Sequence, residues 1–128
     1  MLKAIKILLK RSLLGIAIVV TIAIILLSTL KISAPPIDFN YADKVQHLIA
    51  YFTLSFCWLL ALKNKGIKTG IILIMCILLG VFLEFYQGTL PYRSFEYLDM
   101  IANTLGVIIG YILFKVFIKS ALQKNLNL

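Results

Sequence analysis

The groups that could do chemistry in this chain are few, and their spacing is helical. Asp43, His47 and Tyr51 stand at i, i+4 and i+8, on one stripe of a helix. Glu84 and Gln87 are three apart, and Asp99, Asn103, Gly106 and Gly110 follow along a single helical face. An imidazole beside carboxylates can take and return protons. Carboxylates and amides together can hold sugar or amide groups through hydrogen bonds. Lys44 and Arg93 add positive charge suited to a phosphate or carboxylate, and the Arg93 fork can bind in bidentate fashion.

The elements that must position these groups are membrane helices. The 128-residue chain is 62% hydrophobic with a formal net charge of +8, and its mean hydropathy is +1.01. A soluble chain this apolar could not cover its surface with polar groups, so the fold answers to a bilayer. Ser12 to Leu30 and Val45 to Leu62 are free of acids, lysines and arginines. Thr69 to Leu83 and Met100 to Phe114 are shorter runs that end at Glu84 and Lys115. A span of hydrocarbon takes about 20 helical residues, so Glu84 lies in or at the membrane edge and Lys115 reaches out by snorkelling. An open strand edge in lipid would leave backbone groups unpaired. The expected fold is an all-α, antiparallel bundle of four transmembrane helices at about residues 12–31, 43–62, 68–88 and 95–119, forming one domain. The stretch from Met1 to Arg11 alternates Leu2, Ile5, Leu8 and Leu9 with lysines and is expected along the inner leaflet. Its apolar continuation is longer than a signal-peptide core and is read as a retained helix.

Lysine and arginine set the orientation. Ten of them flank the first span's start, the second-to-third connection and the fourth span's end. Lys31, Lys44 and Arg93 alone lie on the other side. Positive residues favour the cytoplasm, so both termini are expected there. This pattern accounts for the basic balance and points away from nucleic acid. Asp38, Asp43, Glu96 and Asp99 belong to the outer connections, where Pro35-Pro36 ends the first helix. Cys57 and Cys76 read as small apolar residues rather than a disulfide or metal pair.

Depth then becomes readable. His47 and Lys63, Lys68 and Glu84, and Asp99 and Lys115 are each separated by 16 residues, about 24 Å of helix. If the lysines mark one interface, His47, Glu84 and Asp99 share one level near the outer surface, with Tyr51 and Asn103 one turn deeper. Gly106 and Gly110 form a small-xxx-small seam for close helix approach, which Ala102 extends. Plainer readings stand beside this one. Asp43 serves as a helix N-cap, Lys44 as an interfacial lysine, His47 as a hydrogen-bonded structural residue, and Tyr41, Tyr92 and Tyr97 as an aromatic belt. Buried Glu84 needs a partner or water, with Lys44, His47 and Arg93 as candidates. A structural ion network and a polar pocket both fit, and they are compatible.

The ordered set Asp43-Lys44-x-x-His47-x-x-x-Tyr51, Glu84-x-x-Gln87, Arg93, Asp99, Asn103, Gly106 and Gly110 resembles the signature of VanZ-like membrane proteins. The resemblance covers about Ala42 to Tyr111. It implies a bacterial cytoplasmic-membrane protein of a family whose namesake is associated with resistance to teicoplanin and related glycopeptides.

Two functions are open at this level. The first is non-enzymatic: an outward pocket of Asp43, Lys44, His47, Tyr51, Glu84, Gln87, Arg93, Asp99 and Asn103 binds an amphipathic partner. That partner would be a membrane lipid headgroup, a lipid-linked cell-wall precursor or a lipoglycopeptide. The second is an intramembrane hydrolase or transferase in which His47, oriented by Asp43 or Glu84, is the general base. No serine or cysteine stands at a nucleophile position, so such an enzyme would activate water. A transporter would need several copies to build a path, and the number of copies is left open. One histidine and no outer cysteine argue against zinc, while carboxylate-bound Mg²⁺ or Ca²⁺ stays open. No cofactor or metal is expected.

Overall fold

A computed structural model describes residues 2–31 and 41–126. They form four helices in chain order, α1 (Leu2–Thr29), α2 (Ala42–Leu62), α3 (Thr69–Gln87) and α4 (Tyr97–Leu126). Each contains a stretch long and apolar enough to cross a bilayer: Arg11–Thr29, Ala42–Leu62, Thr69–Gln87 and Tyr97–Ala121. Large apolar side chains such as Ile22, Leu26, Phe82 and Ile112 point outward. In water such a surface would drive aggregation, whereas in hydrocarbon it is the lipid face. The protein is a multi-pass, all-α membrane bundle.

The helix ends differ from the sequence reading at three places. α1 starts at Leu2 and runs without a break to Thr29, so the basic first turns belong to the same helix as the span. Leu, Ile, Lys and Ala fill that stretch, and no glycine or proline interrupts it before Gly15. α4 likewise runs past Lys119 through Ala121, Gln123 and Lys124, all good helix formers. Asp43 is not an N-cap. Tyr41 holds that position with no side-chain cap, and Asp43 sits inside the first turn, where its charge faces the positive end of the helix dipole. Pro35-Pro36 and Asp38 lie outside the described residues. Gly66, at φ +72°, closes the α2–α3 turn, a left-handed conformation that favours glycine.

α2 and α4 form the central pair, and the glycine seam brings them together. A methyl group at Gly106 would meet the Leu48 carbonyl oxygen and, at 2.9 Å, the Phe52 nitrogen. One at Gly110 would meet Ser55 Oγ and, at 2.7 Å, the Phe52 carbonyl oxygen. The fully buried Ser55 uses this closeness, its hydroxyl lying 3.1 Å from the Phe52 carbonyl and 3.2 Å from the Val107 carbonyl on α4. α1 is tied on at mid-height, where Trp58 Nε1–H donates to Thr21 Oγ1 at 3.0 Å and Thr21 donates to the Ala17 carbonyl at 2.8 Å. Trp58→Phe keeps the apolar body and removes this bond. The expected loss is about 1 kcal/mol, read as a lower thermal midpoint of the purified protein in detergent.

At one end of the bundle the C-terminal ends of α1 and α3 meet the N-terminal ends of α2 and α4. Gln87 on α3 bonds Ser28 on α1, and His47 on α2 bonds Asn103 on α4. The helices therefore alternate in direction, and the polar residues gather at this end.

Candidate functional site

Lys44 is the hub of the outermost part. Its ammonium lies 2.7 Å from Asp43 Oδ2 and 2.6 Å from Asp99 Oδ1, and it also pairs with Glu96 Oε2. The Asp99 contact is close without hydrogen-bond alignment. The lysine side chain is only 18% exposed. Sequence reasoning offered Lys44 as an interfacial cation for an incoming anion, but three carboxylates already surround it. In the first turn of α2, at a packed end of the bundle, the long stem of Lys44 carries the ammonium to the carboxylates of the residues before and at the start of α4.

Directly beneath, His47, Glu84 and Asp99 converge. His47 Nδ1 lies 2.9 Å from Asn103 Oδ1. An amide oxygen only accepts, so Nδ1 carries the hydrogen of this bond. That Nε2 faces Asp99 Oδ2 at 3.6 Å, too far for a hydrogen bond. Glu84 is 1% exposed. Its Oε1 accepts the backbone N–H of Glu96 at 2.8 Å, and its Oε2 has no partner. One donor atom from each of His47, Glu84 and Asp99 lies within 4.8 Å of the other two. The equal 16-residue spacings thus end at one level. Two details differ from the sequence reading. Asn103, not Asp43 or Glu84, orients the imidazole. Glu84 takes its hydrogen bond from a backbone amide, and none of Lys44, His47 or Arg93 bonds it.

Gln87 and Arg93 have a further role that spacing could not disclose. The last carbonyls of a helix have no partner within it. On α1 they receive Arg93 Nη2 at Leu27 (3.0 Å), Gln87 Nε2 at Ser28 (2.9 Å) and the Tyr92 hydroxyl at Thr29 (2.7 Å). Tyr92, taken from sequence as aromatic belt, is therefore a clasp. Gln87 is buried, so Gln87→Leu leaves the Ser28 carbonyl unpaired in an apolar setting. The expected cost is about 1–3 kcal/mol, measured as easier unfolding in detergent and faster proteolysis near Leu30.

Two spaces adjoin these residues. A polar cavity of about 270 Å³ lies among Asp43, His47, Tyr92, Arg93, Glu96 and Asp99. A second space of about 390 Å³ lies between α1 and α2, with Ile24, Leu27, Ile49, Ala50 and Tyr51 in its wall. His47, Gln87 and Arg93 line both. Tyr51 is buried, its ring over Gly80. All nine pocket residues named from sequence stand at this end of the bundle, together with one that was missed. Glu96 pairs with Lys44 through its side chain and with Glu84 through its backbone. Its place three residues before Asp99, at the residue that precedes α4, was the available signal.

The class is now defined: a multi-pass membrane protein whose four helices bring an acid-rich, histidine-containing cluster together at one end. The chain belongs to the VanZ/LLP1 family, whose model matches residues 19–118. It is also 31% identical over 105 residues to an uncharacterized protein, C11E3.10, of Schizosaccharomyces pombe. That alignment covers 80% of this chain and 65% of the relative, so the chain spans just under two thirds of the relative's length. No solved structure matches the chain.

Proposed function

We propose that the polar end of the bundle binds the headgroup of an amphipathic molecule in the outer leaflet of a bacterial cytoplasmic membrane, with both chain termini on the cytoplasmic side. The observation that supports this most is the shared wall of the two spaces. His47, Gln87 and Arg93 line both the polar cavity and the more apolar groove between α1 and α2. A headgroup and its hydrocarbon chain need that pairing of surfaces. Arg93 spends Nη2 on Leu27 and is exposed, so its remaining N–H groups are the anion donors, in place of the occupied Lys44. The chemical class is a phosphate- or carboxylate-bearing lipid, such as a lipid-linked cell-wall precursor or the acylated glycopeptide teicoplanin itself. Binding such a ligand would lower susceptibility to teicoplanin-type drugs by sequestering the drug or by shielding the lipid that it competes for.

The test is binding of a polyprenyl-phosphate lipid and of teicoplanin to the full chain in nanodiscs, alongside drug susceptibility of cells expressing it. Arg93→Ala is expected to weaken headgroup binding about tenfold, the size of a charge-assisted bond near 1.4 kcal/mol. Ala50→Trp, which fills the groove, is expected to weaken binding while the protein still accumulates. Susceptibility should follow binding in graded steps. Equal binding by wild type, Arg93→Ala and Ala50→Trp would sink the proposal. The position of His47 Nε2 beside two carboxylates favours a second reading, water-activating hydrolysis or transfer on the bound lipid. In that case His47→Ala stops turnover of the lipid while leaving its binding intact.

A further inference from the structure

We propose that His47, Glu84 and Asp99 hold one divalent first-row transition cation. Each of the three has one polar atom fixed by a neighbour and one left over. His47 Nδ1 is held by Asn103, Glu84 Oε1 by the Glu96 backbone N–H, and Asp99 Oδ1 faces Lys44. The remaining atoms are His47 Nε2, Asp99 Oδ2 and Glu84 Oε2. The first two face each other at 3.6 Å without a bond, and the third is buried with no partner. Donor atoms of the three residues lie within 4.8 Å of one another, so a small side-chain adjustment brings them within the roughly 4.4 Å that bonds near 2.0–2.2 Å allow. Metal-bound histidines and carboxylates are characteristically anchored through their second polar atom in this way.

Charge argues in the same direction. Asp43, Glu84, Glu96 and Asp99 crowd one end of the bundle, and Lys44 is the one lysine or arginine among the described residues that pairs with any of them. Arg93 is directed instead to the Leu27 carbonyl. A second acidic set, Asp43, Glu96 and Asp99, has ligand-like spacing too, but the Lys44 ammonium already sits against all three. In the deeper set only Asp99 meets that ammonium, and no lysine or arginine among the described residues pairs with Glu84. One imidazole with two carboxylates suits manganese, iron or zinc better than Ca²⁺, which takes six to eight oxygens. Three protein ligands also leave coordination positions open, as in sites that bind small molecules rather than closed structural ones. This inference stands whether or not the adjoining groove holds a lipid.

The experiment uses the full chain, purified in detergent without chelator, then stripped and titrated separately with Mn²⁺ and Zn²⁺ in the absence of any lipid ligand. The wild type is expected to bind about one ion per chain and to gain thermal stability on binding. His47→Ala and Glu84→Gln are each expected to weaken binding at least about 100-fold, and Asn103→Ala about 10–100-fold. Thr53→Ala, half-buried on α2 with its hydroxyl on the Ile49 carbonyl, should bind like the wild type. Should a ligand variant fail to fold, the wild type decides alone, its thermal midpoint falling with chelator and recovering with the ion. A folded wild type that binds neither ion, or binding undiminished in both His47→Ala and Glu84→Gln, overturns the inference. Because no amphiphile is present, its failure leaves the headgroup proposal standing, and the reverse also holds.

Discussion

Lys44→Met is expected to destabilise the protein by about 3–5 kcal/mol, the cost of stripping a counter-ion from buried charge. Most of that loss falls on Asp99. Its side chain is 9% exposed, against 52% for Asp43 and 44% for Glu96, so the latter two rehydrate when the ammonium leaves. This partition is testable by coupling. Adding Asp99→Asn to Lys44→Met is expected to restore most of the lost stability, and adding Asp43→Asn little of it. Thermal unfolding of the four variants in one detergent measures the effect. A midpoint unmoved by Lys44→Met would mean that the carboxylates are neutral without it.

The second large effect is expected at Gly106. An added methyl group there is driven into the backbone of α2, at the Leu48 carbonyl and the Phe52 nitrogen, and neither can rotate aside. Gly106→Ala should cost about 1–3 kcal/mol by overpacking, and Gly106→Leu should prevent accumulation in the membrane. The damage also reaches the polar end, because prying α4 from α2 draws Asn103 away from His47. A histidine-selective ¹⁵N spectrum of Gly106→Ala should therefore show the imidazole losing its fixed tautomer. Gly70 and Gly15 supply the contrast, since a methyl group meets nothing within 4 Å at either. Alanine there should leave stability unchanged or slightly raised. Equal losses at Gly70 and Gly106 would refute the seam as the cause.

The bundle and the level of its polar residues were legible because both follow from counting. Uncharged runs measure hydrocarbon thickness, and the lysine-to-acid intervals measure depth along a helix of known rise. The glycine seam was legible for the same reason, since its i, i+4 spacing is a property of one helix. Assignments that depend on which atom meets which were not. Lys44 reads as interfacial from its position, and only the packed end shows three carboxylates converging on it. Gln87, Tyr92 and Arg93 bond carbonyls of α1, and a backbone acceptor on another helix leaves no trace in side-chain spacing. Glu96 was passed over because it lies just before α4, where an acid looks like ordinary loop solvation. The two oxygens of Asp99, one toward Lys44 and one toward His47, are likewise a product of tertiary approach.

The wall of the groove between α1 and α2 includes Leu27 and Ile49, both exposed on the outside of the bundle. A fatty tail arriving there leaves one hydrocarbon surrounding for another, so it gains little from the move itself. Each extra methylene would draw more of the molecule into the bilayer, by about 0.8 kcal/mol, without improving its hold on the protein over ordinary phospholipid. At a fixed surface density, occupancy should then be nearly indifferent to tail length and governed by the group at the water's edge. Discrimination among lipids would belong to that group alone, with the tail acting only as an admission ticket to the membrane.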